Sequence, residues 1–505
     1  MSVSKKLISN AIYLFLDWFV VTVIGFLYWF IAGKTLLPEE YGIVATSTNL
    51  AMILSSISLL GLNLSLMKLL PEYLSKRQNN KITSLIKFSL KVTILTNLII
   101  VLFLILFSDL IAFLLKVSKE VILISATILP IISLVTQFGS IIYGFQEMRK
   151  FLISDTFGQF TKVLTSTLLI FLGFGYFGPL IGFLLGFLLI AIIRFKFSFP
   201  YLSFFQQPIN KREIMLNYAL PAFFSFLAWT LFLNGQYVLL TMLKNPKVTG
   251  IFTIAMVITS IIATFPSILN SALFPIISSL SADENSKEKQ SHLIQTVFRY
   301  SLFLSLPVAT FLVVFSKHLI LIFSRPEYLD ASSLFPILVT GSLIYGLGNI
   351  FLSSLYAIGK TKINRNIIIL TTFVYLCLSI YLTSFLGGFG MALAYTLSVT
   401  FLASLSFFYI RKYLKINLPI KSTIKCIVSV IISFSFLYTT THFTTDLLTG
   451  ILLVIITGMI YIEFLFLLKF YVKEDVRILE FLSSKSPLFK KQIKFLAKFL
   501  SKYIE

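Results

Sequence analysis

The chain is 505 residues long, 57% hydrophobic and 12% charged, with a mean hydropathy of +0.94 and a formal net charge of +22. That balance excludes an ordinary soluble domain, and the basic residues, dispersed over short gaps between apolar segments, suit anionic lipid and not nucleic acid. Cys377 and Cys426 both lie in apolar segments, which argues against a disulfide framework or a paired-cysteine metal site and leaves two small buried hydrophobes.

Fourteen segments are each long and apolar enough to cross a bilayer, for which about 20 residues suffice. They fall at 11–32, 42–66, 88–108, 121–145, 152–174, 178–198, 216–240, 250–275, 293–316, 331–357, 366–386, 389–410, 423–441 and 448–471. The first is full length and lacks a small-residue cleavage site, so it is expected to stay as the first helix. Of the 42 Lys and Arg residues, 33 lie at the two ends and in every second gap. The opposite gaps hold Lys34, Lys116, Lys119, Lys244, Lys247, Lys317 and Arg325, and only Lys162 and Arg299 fall inside apolar segments. Cytoplasmic loops retain basic residues, so the pattern predicts a multi-pass protein of the cell (cytoplasmic) membrane with both termini in the cytoplasm. Pro130, Pro221, Pro266, Pro307 and Pro336 stand inside spans, where they bend helices that move or line a cavity.

Charges at membrane depth are costly and are functional candidates by default. In the first span Asp17 shares a face with Tyr13; pairing with Lys162, restraint of a cavity-lining helix and proton or sodium coupling are its open roles. In the fifth, Asp155, Gln159, Lys162 and Ser166 are spaced i, i+4, i+7 and i+11 and so share one helical face. Asp155 is expected close enough to the inner surface to be solvated. Lys162 is roughly a half-bilayer deep at about 1.5 Å per residue, where a cation suits the phosphate of a lipid carrier; a structural ion pair or a snorkelling side chain is the plain alternative. In the seventh span Asn234 and Gln236, two apart, cannot share a face, yet either could offer neutral hydrogen bonds to sugar hydroxyls. For these, as for Asn49, Asn63, Gln137, Asn270 and Asn349, bonding between helices is the blander role. Arg299, about two turns into the ninth span, is expected to snorkel to the inner headgroups. From Ser486 the tail reads as an amphipathic helix: Phe489, Ile493, Leu496, Leu500 and Ile504 form a stripe flanked by lysines, suited to anionic lipid at the cytoplasmic interface.

The chain also repeats itself. Pro38 and Gly42-Ile43 before the second span recur with the same spacing as Pro246 and Gly250-Ile251 before the eighth, and Phe171-Leu172-Gly173 recurs as Phe385-Leu386-Gly387. An even number of spans per copy returns the chain to its starting side, so the copies share one orientation about an axis along the membrane normal. The fold expected is all-α, with two parallel six-helix lobes at 1–209 and 210–415, two further spans at 416–472 and a cytoplasmic tail at 473–505.

Leu37-Pro38-Glu39-Glu40-Tyr41-Gly42, the Gly61-Leu62 followed by a loop after the second span, Ala219-Leu220-Pro221, Phe274-Pro275 and Gly388-Phe389-Gly390-Met391-Ala392-Leu393-Ala394 together resemble the polysaccharide-biosynthesis branch of the multidrug/oligosaccharidyl-lipid/polysaccharide flippase superfamily. The resemblance implies a V-shaped, two-lobed transporter moving lipid-linked sugars, on a polyprenyl or dolichyl phosphate or diphosphate carrier, from the cytoplasmic to the outer leaflet by alternating access. Similar flippases use spans 13 and 14 beside a groove suited to a lipid tail. Multidrug antiporters of the same superfamily often use an acidic residue in the first helix for cation coupling, so Asp17 keeps an H+- or Na+-coupled antiporter as the alternative. The related flippases often carry cavity charges in helices 1 and 7, and the seventh span here has none.

An enzyme is the remaining class. His292, His318 and His442 are scattered over short loops, no Walker-type phosphate loop is present, and no cysteine–histidine metal spacing exists. The longest loop, about 20 residues, is small for the acidic pair of a polytopic glycosyltransferase or the large outer loop of a polymerase. A monomeric transporter without cofactor is expected, with Lys162, Gln159, Asp155, Asn234 and Gln236 at the substrate cavity.

Overall fold

A computed structural model describes residues 3–202, 207–281, 283, 286–441 and 447–477 and, nearer the C-terminus, 480, 491, 494, 497, 498 and 501. The apolar stripe of the expected tail helix, and His442, lie outside the described residues. Among the described residues there are helices and turns and no strand, as a bilayer demands of a chain that must satisfy its own backbone groups within each crossing segment.

All fourteen expected spans are helical. The first six comprise α1 (Val3–Thr35), α2 (Pro38–Leu59) continued by α3 (Leu62–Ser75), α4 (Asn79–Leu106) followed by the short α5 (Ser108–Leu115), α6 (Lys119–Gly144), α7 (Met148–Phe171) and α8 (Phe177–Ser198). After the single turn α9 (Lys211–Ile214) come α10 (Leu220–Leu243), α11 (Pro246–Thr259), α12 (Ile261–Leu280), α13 (Lys287–Val314), the short α14 (Ser316–Phe323), α15 (Phe335–Ala357), α16 (Thr361–Leu414), α17 (Ile420–Thr441) and α18 (Leu447–Leu467). Eleven helices among the described residues are long and apolar enough to cross a membrane. One of these, α16, holds the eleventh and twelfth spans joined at Gly387, whose φ of 59° and ψ of −134° break the helical path. A polar exception is α7, with Arg149, Lys150, Asp155 and Lys162 in 24 residues.

The Leu37-Pro38-Glu39-Glu40 motif makes the start of α2. Pro38 takes the first helical position, where its missing N–H costs nothing, and Glu40 reaches back to accept the Leu37 amide at 3.0 Å. The helix ends where Leu60 and Gly61 turn left-handed, with φ of 46° and 75°. A side chain at Gly61 would drive its Cβ to 2.2 Å from the Ala219 carbonyl, so the turn also allows the start of α10 to pack on bare backbone.

The chain divides into two compact units, of which the first comprises residues 1–258, 317–338 and 365–402. In it Gly158, Lys162 and Ser166 of α7 meet Gly186 and Gly182 of α8 in a crossing too close for further side chains: a Cβ at Gly182 would lie 2.0 Å from Ser166 Oγ, one at Gly186 2.6 Å from Lys162 Cβ, and one at Gly158 2.8 Å from the Gly186 carbonyl oxygen. Small residues at four-residue spacing let membrane helices approach in this way. Hydroxyls join α2 to α6, with Ser47 to Ser125 and Ser58 to Ser133 both at 2.7 Å.

The second unit comprises residues 259–316, 339–364 and 403–505. Its core includes Cys426, Tyr461, Leu465 and Phe470, and Tyr461 donates to the Phe303 carbonyl at 3.2 Å. Arg299 departs from expectation: it is 8% exposed and forms an ion pair with Asp475, which also accepts from Tyr300 and, at 2.8 Å, from the Val472 amide. A buried carboxylate supplied by the segment after α18 removes the need to snorkel.

Candidate substrate cavity

Within the first unit, α1, α2, α7, α8, α10 and α11 enclose a cavity of about 340 Å³. Two parallel helices set its charge. Asn10 of α1 bonds the Gln146 carbonyl before α7, Asp17 lies beside Asp155, and Tyr28 lies beside Lys162, so the two helices run in register. Asp17 and Tyr28 are three turns apart on α1, as Asp155 and Ser166 are on α7.

At the lower level Asp155 is 9% exposed rather than solvated. Arg194 of α8 pairs with it at 2.6 Å and also donates to Ser154 Oγ and the Val135 carbonyl, each at 3.0 Å. The guanidinium carbon lies 3.8 Å from the centre of the Phe151 ring. Asp17 faces the same pair, and its Oδ1 is buried with no hydrogen-bond partner among the described residues. Asp155 thus forms the ion pair with Arg194, and Asp17 lies beside it.

Two turns higher, Lys162 is 6% exposed, and among the described residues no carboxylate comes within 4.0 Å of its nitrogen. Aromatic faces surround it: the Tyr28 ring centre is 4.7 Å away and that of Phe183 5.9 Å. Trp29, Phe187 and Tyr237 extend this wall, and Thr48, Asn49, Gln159, Asn234 and Thr253 bring hydroxyls and amides to the same space. Gln159 Oε1 is buried with no hydrogen-bond partner among the described residues, while Asn234 commits its amide NH2 to the Thr230 carbonyl at 3.0 Å. The arrangement can bind an anion at the ammonium, hydroxyls at the amides and flat apolar faces at the rings.

The two echoed turns, at the starts of α2 and α11, meet each other. A Cβ on Gly42 would lie 1.8 Å from the Pro246 carbonyl oxygen, and one on Gly250 would lie 1.8 Å from that of Pro38. Beneath this crossing Thr46, Thr241 and Thr249 join hydroxyl to hydroxyl at 2.5 and 2.7 Å. Around it Lys34 donates to the Leu321 carbonyl at 2.7 Å, Tyr328 to that of Leu36 at 3.1 Å, and Lys116 to that of Lys244.

The sequence profile of the polysaccharide biosynthesis protein family matches residues 7–281, more than half of the chain. The chain belongs to that family. The profile of the MatE family matches residues 221–382. An uncharacterised membrane protein of Methanocaldococcus jannaschii is 29% identical over 140 residues, which are 28% of this chain and 27% of that relative's length. The fold is similar to the lipid II flippase MurJ in an inward closed conformation, at a TM-score of 0.73 and 17% identity over 90% of this chain and 97% of the other. It is also similar to an inward-facing multidrug resistance MATE transporter of the MOP superfamily, at 0.65 and 15% identity over 78% and 95%.

In this member of the family the structure brings Lys162, Gln159 and Asn234 to one cavity and sets Asp155 and Asp17 below it, with Arg194. Gln236 is 3% exposed, donates to the Leu233 carbonyl at 3.2 Å and does not line the space. Arg194, near the end of the expected span 178–198, and the aromatic wall were not among the expected site residues, the first because a basic residue at a span end reads as a loop cation and the second because aromatic residues make up 15% of the chain. The run Gly178, Gly182, Gly186 was the signal that α8 packs against α7 at Lys162. In the second unit, Pro307 and Phe311 of α13, Val430 and Phe434 of α17 and Tyr461 of α18 line an apolar pocket of about 200 Å³.

Proposed function

We propose that this polysaccharide biosynthesis family member is a flippase for lipid-linked oligosaccharide, carrying the phosphate headgroup past Lys162 while the isoprenoid tail stays in the lipid. The observation that carries this reading is the ammonium without a carboxylate, enclosed by rings and amides at membrane depth. A buried charge is retained at such cost where a substrate needs it. The phosphate would meet Lys162, and sugar hydroxyls would meet Gln159 and Asn234. Alternating access would come from rocking of lobes 1–209 and 210–415 in the cytoplasmic membrane, with both termini inside. The tail helix would rest on anionic lipid, and a monomer suffices.

The test is transport of a labelled polyprenyl-diphosphate oligosaccharide across proteoliposomes. Lys162→Ala is expected to abolish it while insertion and folding persist, and wild-type flux in that variant would remove Lys162 from the mechanism. Asp17, with an unpartnered oxygen in the first helix, together with the MatE profile match, favours a second reading as an H+- or Na+-coupled multidrug antiporter. Drug efflux from cells lacking their own pumps, without headgroup transport, would decide for it.

A further inference from the structure

Lys162 poses a physical problem that the proposed function leaves open. An ammonium deep in a membrane needs compensation, yet a carboxylate partner would cancel the charge that a phosphate is to meet. Both nearby acids are engaged elsewhere, Asp155 in its ion pair with Arg194 and Asp17 against that pair. Among the described residues, what remains next to the nitrogen is aromatic: the face of Tyr28 at 4.7 Å and, farther off, that of Phe183 at 5.9 Å.

Tyr28 is built to stay there. It is 2% exposed, its hydroxyl donates to the Pro179 carbonyl in the first turn of α8 at 3.0 Å, and its ring stands edge-on to Trp29 at 5.2 Å and 78°. The ring is therefore held from both α1 and α8 while α7 brings the amine over it. An aromatic face stabilises a cation through its quadrupole and stays neutral, so the N–H groups remain free for an anion.

We infer that Tyr28 is the positioning residue for Lys162: its ring holds the ammonium at the cavity without neutralising it, and its hydroxyl fixes the ring. This rests on the reading of Lys162 as the phosphate ligand. Tyr28→Phe keeps the face and loses the tether; Tyr28→Leu loses both.

The experiment measures binding of polyprenyl phosphate to the purified full-length protein, with the polyprenyl alcohol of equal length as the uncharged control. Tyr28→Phe is expected to bind within about threefold of wild type, and Tyr28→Leu about 10- to 30-fold more weakly, the size of a desolvated cation–π contact. In a Lys162→Met background Tyr28→Leu should cost nothing further, and alcohol binding should not change. An equal loss in both backgrounds, or an equal loss for the alcohol, would overturn the inference, since a wall residue acts that way. The contact is also read without any lipid, by the NMR shift of 13C-dimethylated Lys162. The ring should move that signal upfield of exposed lysines, Tyr28→Leu should abolish the displacement, and an unmoved signal would sink the proposal. Normal phosphate binding by Lys162→Met would instead overturn the reading of the cavity, leaving the ring contact standing.

Discussion

Arg194 carries more of the site's order than any other charged residue. Its guanidinium, carried on α8, bonds α6 through the Val135 carbonyl and α7 through Ser154 and Asp155. Truncating one partner of a buried pair leaves the other charge without compensation, so Arg194→Met should lower stability by about 3 to 5 kcal/mol. Adding Asp155→Leu should restore at least half of that loss, and thermal unfolding of the detergent-solubilised protein measures both. The stripe from Asp155 to Ser166 was legible because 3.6-residue spacing alone puts it on one face. Its partner was not, because a basic residue at the end of an apolar run reads as a loop cation. The aromatic wall was illegible for a different reason: Phe, Tyr and Trp face lipid as readily as a cavity.

Helix identities, and the gap at Gly387 between the spans 366–386 and 389–410, followed from length and hydropathy, whereas the interruptions of the spans 42–66 and 250–275 at Gly61 and Ser260 did not, since the apolar sequence runs through them unchanged. At Gly61 the cause is tertiary. Backbone crosses at Gly61, and the reciprocal contact of Gly42 and Gly250 demands the same absence of side chains. Gly250→Ala should force the start of α11 off that of α2 at a cost of about 1 to 3 kcal/mol to the closed arrangement. With Cys377 and Cys426 replaced by Ser, an introduced Asn49→Cys should then react faster with a membrane-impermeant thiol reagent added on the lysine-poor side. An unchanged rate would mean that the crossing is not the seal.

For the whole molecule, alternating access requires that the same surfaces part in every cycle. Thr46 and Thr241 meet hydroxyl to hydroxyl at 2.5 Å across that crossing. Thr46→Cys with Thr241→Cys should form a disulfide on oxidation, stop headgroup transport and regain it on reduction. Full flux through the oxidised protein would exclude any cycle that opens there. The crossing has a consequence for sequence variation as well. A barrier made of main chain against main chain offers no group to trim, so it has no gentle setting. Every replacement at Gly42 or Gly250 adds atoms and works as a wedge, and natural drift at either position can loosen the door but never tighten it.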